Sequence, residues 1–78
     1  MNIVFTGTAK INGEHYDRKR LTTMAELYGH YVQKNVDWGT NLLVVGDETH
    51  TTIKKAKAIR MKKRIVTVKE FLEMMFTQ

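Results

Sequence analysis

The chain contains no cysteine. That absence excludes a disulfide framework and any thiolate metal site, and it fits a reducing, intracellular setting. Long apolar runs are missing as well. No stretch approaches the roughly 20 residues of a membrane-spanning helix, and the first residues lack the basic-then-apolar pattern of a secretory signal. The expected location is cytoplasmic, at the nucleoid or in a host cytoplasm if the source is viral, with no membrane partner. The three histidines, His15, His30 and His50, lie among polar neighbours without the spacing that gathers ligands round one zinc ion. No metal or other cofactor is expected. Gly-x-Ser-x-Gly, GK[ST] and His-Glu-x-x-His motifs are all lacking, so the chain is not expected to be an enzyme.

One further scarcity is local. Between His50 and Lys69 there is no acidic residue, while Lys54, Lys55, Lys57, Arg60, Lys62, Lys63, Arg64 and Lys69 fall in that window. Over the whole chain 13 Lys and Arg face 8 Asp and Glu, a formal charge of +5. Such a balance favours polyanionic partners, nucleic acid first among them, although a lysine-rich helix can also be no more than a solvated face. With 78 residues, 42% of them hydrophobic, residues 1–78 make one soluble globular domain with room for one core.

The pattern of apolar residues sets the order of elements. Ile3, Val4 and Phe5 form a continuous apolar run without helical period, the signature of a buried strand that stops at Thr6-Gly7-Thr8. Asn12-Gly13 is a turn signal, which makes residues 10–16 a surface loop or small hairpin. Asp17 caps a helix reaching about Tyr28, with Leu21, Met24, Ala25 and Tyr28 on one stripe and Gly29 as its C-terminal stop. A weak strand at 31–33 and a polar loop holding Trp38 precede a strong buried strand, 41–45, which ends at Gly46.

Thr51 or Thr52 caps a second helix through about Met61, whose apolar content (Ile53, Ala56, Ala58, Ile59) is thin beside its lysines. Ile65 and Val66 form a last strand, and Thr67 with Glu70 makes a T-x-x-E capping box opening a final helix with Phe71, Leu72 and Met75 on its apolar face. Strand-helix alternation argues for a mainly parallel sheet covered by helices, in one α/β domain.

In this order the motifs "VFTGT" at 4–8, Arg18, "ELYGHYV" at 26–32, "LLVVGD" at 42–47, "KKAKA" at 54–58 and "IVTVKEFLEMM" at 65–75 resemble the BRCT domain. The likeness is greatest to BRCT domains at the end of bacterial NAD-dependent DNA ligases and in the large subunit of replication factor C. It spans residues 2–76. A single Gly29-His30 stands where the family usually has two glycines, and Phe71 stands where many members carry tryptophan. The resemblance implies a four-stranded parallel sheet in the order 2-1-3-4, with helices one and three on one face and helix two on the other. It further implies a phosphate site built from Thr6, Gly7 and Lys54, with Arg18 reaching neighbouring phosphates.

Chemically the set is apt. A hydroxyl, an open glycine amide and an ammonium at a helix N-terminus surround a phosphate with charge-assisted hydrogen bonds. The expected function is that of a stand-alone module binding DNA at 5′-phosphorylated ends, nicks or recessed junctions in replication or repair, with Arg18, Arg20, Lys55 and Lys57 on flanking backbone. The alternative is a protein or phosphopeptide interaction module, including an accessory subunit of a DNA ligase or other repair complex. Trp38 has two readings, a base-stacking platform or a ring packed on the domain edge. Met74, Met75 and Phe76 would form a contact surface for a replication or repair partner, or for a second copy in a homodimer, if exposed together.

Overall fold

The structure is a computed structural model that describes residues 1–46 and 53–76. Strand β1 (Asn2–Thr6) leads into a short hairpin, β2 (Ala9–Ile11) and β3 (Glu14–Tyr16), then helix α1 (Arg18–Leu27) and strand β4 (Tyr31–Gln33). Strand β5 (Leu42–Val45), helix α2 (Ile53–Arg60), strand β6 (Arg64–Thr67) and helix α3 (Val68–Phe76) follow. The main sheet runs β4-β1-β5-β6, parallel throughout, with Thr6 beside Val45 and Val45 beside Thr67 at its C-terminal end. Leaving the hairpin aside, this is the order 2-1-3-4.

Period-two alternation sorts the strand residues into two cores. Ile3, Phe5, Leu42, Val44 and Val66 face α1 and α3, meeting Leu21, Ala25, Phe71, Leu72 and Met75. Phe5 and Phe71 pack edge to face with ring centroids 5.3 Å apart. Val4 and Leu43 face the other way, toward Val36 and Ala58 of α2, with Val45, Met61 and Ile65 at the margin. Each large side chain fully buried here contributes about 1.5–3 kcal/mol. Helices one and three therefore share one face and helix two covers the other, because the strands are apolar on both sides and need two covers.

Local signals account for the element ends. Asn12 (φ 52°) and Gly13 (φ 81°) both take positive φ, so the Asn-Gly pair closes a tight hairpin turn. Asp17 accepts the Arg20 amide at 2.8 Å and caps α1. At its other end Gly29 (φ 82°) and His30 donate to the carbonyls of Glu26 and Ala25, a Schellman stop. Helix α2 stops by the same pair of bonds, Lys62 to Ile59 and Lys63 to Ala58, but here the left-handed position is a lysine, Lys62 at φ 57°. Lys62→Gly is expected to raise stability by about 0.5–1 kcal/mol in a denaturant titration, since glycine takes that φ without a Cβ clash. The capping box forms as predicted: Glu70 N–H donates to Thr67 Oγ1, and Thr67 N–H to Glu70 Oε1, both at 3.1 Å. Thr67→Ala is expected to cost about 1 kcal/mol by the same measurement.

Several packing expectations change. Tyr28 is not a core residue; α1 ends at Leu27, Tyr28 is the cap and lies 52% exposed. In α2 only Ala58 is buried, and Ile53 and Ile59 point to solvent. Met75 is buried while Phe76 is exposed, so Met74, Met75 and Phe76 do not share a surface. The predicted caps Thr51 and Thr52 lie outside the described residues. Among those described, no helix is long and apolar enough to cross a membrane.

Candidate nucleic-acid interface

The C-terminal end of the parallel sheet gathers the predicted phosphate residues. Strand β1 ends at Thr6, and Gly7 turns the chain with φ 78°, a conformation that glycine alone adopts without strain. The neighbouring strand β5 runs into Gly46, whose amide donates to Thr6 O at 2.8 Å. A Cβ on Gly46 would fall on the backbone nitrogen and oxygen of Thr8. The Thr6-Gly7-Thr8 turn is thus pressed against the chain leaving β5, and a glycine on each side makes that approach feasible. In the sequence Gly46 marks only a strand end; its spacing from Gly7 carries no signal until the strands are paired.

Two cations face this end of the sheet. Lys54 is the second residue of α2 and half-buried, while Arg18 is the first residue of α1 and exposed. They come from opposite faces of the sheet, yet their charges interact. The Lys54 ammonium is held below the usual lysine range, first by burial and then by the Arg18 guanidinium. Neither α1 nor α2 has an acidic residue in its first turn. Like charges kept together at the start of two helices create a site that an anion would relieve. Lys57, half-buried, lies one turn along from Lys54 on the same side of α2, and Lys55 is exposed beside them.

Arg20 is placed differently. Its guanidinium donates to Glu14 Oε2 at 3.0 Å and to His15 O at 3.1 Å, and stacks 4.3 Å from the Tyr16 ring centroid. This arginine fastens the hairpin to α1, and the ion pair, exposed on both sides, contributes little to stability. A feature the sequence did not disclose continues from Arg18. Between α1 and β4 lies an open groove of about 620 Å³, lined by Arg18, Lys19, Thr22, Thr23, Gln33 and Lys34 among others. Its cations Lys19 and Lys34 stand 15 positions apart in sequence, and only the pairing of β4 with β1 unites them.

The family model of the BRCA1 C Terminus (BRCT) domain matches residues 2–75. The chain belongs to the BRCT family. No curated protein matches it in a comparison of sequences. BRCT domains are interaction modules of DNA repair and replication that engage DNA or proteins, phosphoproteins included. In this BRCT domain β1 ends at the Thr6-Gly7 turn, the charges of Lys54 and Arg18 at two helix starts interact, and Arg20 is engaged elsewhere.

Proposed function

We propose that this BRCT domain binds DNA at 5′-phosphorylated ends, nicks or recessed junctions, and that it does so without catalysis. The observation that carries the reading is the pair of like charges, Lys54 and Arg18, held beside a glycine turn and two helix starts without acidic residues. A terminal phosphate bears up to two negative charges, one more than a backbone diester, so this concentration of positive charge favours the end over the interior of a strand. Thr6, Gly7 and Lys54 hold that phosphate. Arg18 and the groove beginning at it, with Lys19 and Lys34, take the adjoining backbone, joined from α2 by Lys55 and Lys57. The resemblance of the motif pattern to BRCT domains of NAD-dependent ligases and of the replication factor C large subunit is in keeping with this choice.

Competition among duplexes that differ only in a 5′-phosphate or 5′-hydroxyl tests the reading. The phosphorylated end should win by about tenfold or more, the range of one or two charge-assisted hydrogen bonds. Equal affinity for both ends overturns it. A second reading, docking of a phosphoprotein, draws on the exposed Leu27, Tyr28 and Tyr31 beside the edge strand β4. Salt separates the two: several backbone phosphate contacts require a steep fall of affinity with salt concentration, and apolar docking does not.

A further inference from the structure

The opposite end of the sheet carries a second concentration of positive charge, built round the only tryptophan in the chain. The loop between β4 and β5 returns to the N-terminal end of the sheet, where Asn2 N–H donates to Asn41 Oδ1 at 2.7 Å and Asn2 Nδ2 to Gly39 O at 2.8 Å. Within the loop Asp37 Oδ1 accepts the Gly39 amide at 2.8 Å, and the buried Thr40 hydroxyl accepts the Asp37 amide at 2.9 Å and donates to Gln33 Oε1 at 2.7 Å. From this firmly bonded turn the Trp38 side chain projects into solvent, 81% exposed. Lys63 Nζ bonds the Trp38 carbonyl at 2.7 Å and lies 5.9 Å from its ring centroid. The ring does not pack on the domain edge, the more ordinary fate of a loop tryptophan.

Lys63, the residue against Trp38, sits in a basic run, Arg60, Lys62, Lys63 and Arg64, that joins the end of α2 to the start of β6 at this end of the sheet. Arg60, Lys62 and Arg64 are exposed. The acidic group in the Trp38 loop itself, Asp37, has its carboxylate occupied by the Gly39 amide and by Gln33 Nε2 at 3.4 and 3.5 Å. Lys62 occupies the left-handed position where a helix stop favours glycine, so a cation is kept there at a cost in backbone strain. A solvent-facing aromatic ring on a bonded turn, with a lysine against it and a basic run beyond, is an arrangement on which an unpaired base can stack while the neighbouring phosphates are neutralised.

We propose that Trp38, with Lys62, Lys63 and Arg64, forms a second nucleic-acid contact, specific for single-stranded DNA. It lies about 15 Å from the terminal-phosphate residues, the length of strands β1 and β5. It recognises a stacked base and internal phosphates, so it stands or falls independently of the 5′-phosphate reading.

The single tryptophan supplies the readout. A 5′-hydroxyl oligothymidylate of about ten nucleotides, long enough for one small binding groove, is titrated into the protein while Trp38 emission is followed. Saturable quenching that weakens with salt is expected. By fluorescence anisotropy of a labelled oligothymidylate, Trp38→Ala should bind about tenfold or more weakly, the loss of one base-aromatic stack. Since Trp38 is exposed, its melting midpoint should stay near that of the parent. Lys62→Gly should dissociate the two properties, binding the oligonucleotide more weakly while melting higher. Absence of quenching, or unchanged affinity in Trp38→Ala, overturns the proposal; a protein partner on this face would give that result.

Discussion

Lys54→Ala is expected to abolish the preference for a 5′-phosphorylated over a 5′-hydroxyl duplex end, with a loss of about 10- to 100-fold in affinity for the phosphorylated end only. That range corresponds to a hydrogen bond with charge on both partners, about 1.5–3 kcal/mol. Arg18→Ala should lower affinity for both kinds of end, because Arg18 lines the groove between α1 and β4 that is proposed to take the backbone phosphates. The two variants together thus separate recognition of the end from attraction to the duplex. The pH dependence has a defined sign. Burial and Arg18 lower the Lys54 pKa in the free protein. Raising the pH through that lowered value discharges Lys54 and weakens phosphate binding at a lower pH than an ordinary lysine would. Bound phosphate opposes the shift, so binding near that pH should take up protons.

The same lowered pKa affects stability in a known direction. A lysine whose folded pKa is below its unfolded value destabilises the fold while it is charged in both states. That penalty is relieved as pH rises through the folded value. Inorganic phosphate added at neutral pH should therefore raise the melting midpoint of the parent protein, and raise it less in Lys54→Ala.

Gly46→Ala is expected to be the most destabilising single substitution at this end of the sheet, by about 3 kcal/mol or more in denaturant unfolding. The added methyl would fall on the Thr8 backbone, which belongs to a turn bonded to β5 and cannot move aside as a flexible side chain would. Overpacking against backbone typically costs 1–3 kcal/mol and occasionally more. Relief is available only by displacing the Thr6-Gly7-Thr8 turn, so phosphate-end preference should fall in whatever fraction of Gly46→Ala remains folded. A variant as stable as the parent would show that the two segments separate without penalty and that Gly7 is held by other means.

Much of this fold was legible in single residues and short spacings. Asp17 as cap, Asn12-Gly13 as turn, Gly29 as stop and the Thr67-Glu70 box all act within five residues of one another, and each forms as read. The buried runs at 3–5 and 41–45 also read correctly but for Asn41, which is exposed and precedes β5, since strands covered on both faces have no polar side to disguise them. The Tyr28 assignment failed because helical period continues on paper after the helix has stopped, and a ring at the cap faces solvent. The left-handed Lys62 was hidden as well: the pattern ends the second helix near Met61, but a lysine in place of glycine gives no sign that the stop is left-handed.

For the candidate site, the sequence by itself determined which chemistry was present: a hydroxyl-glycine turn, an acid-free run of lysines and two helix starts. Tertiary structure alone decided which of these groups meet. Parallel pairing of β5 with β1 sets Gly46 against Thr8, and the sheet brings Lys54 and Arg18 into electrostatic contact from helices on opposite faces. It also directs Arg20 to Glu14 and leaves the Trp38 ring in water at the far end. Local sequence encodes conformational preference over a few residues, whereas a binding site depends on distances between residues dozens apart, which only strand register and packing define.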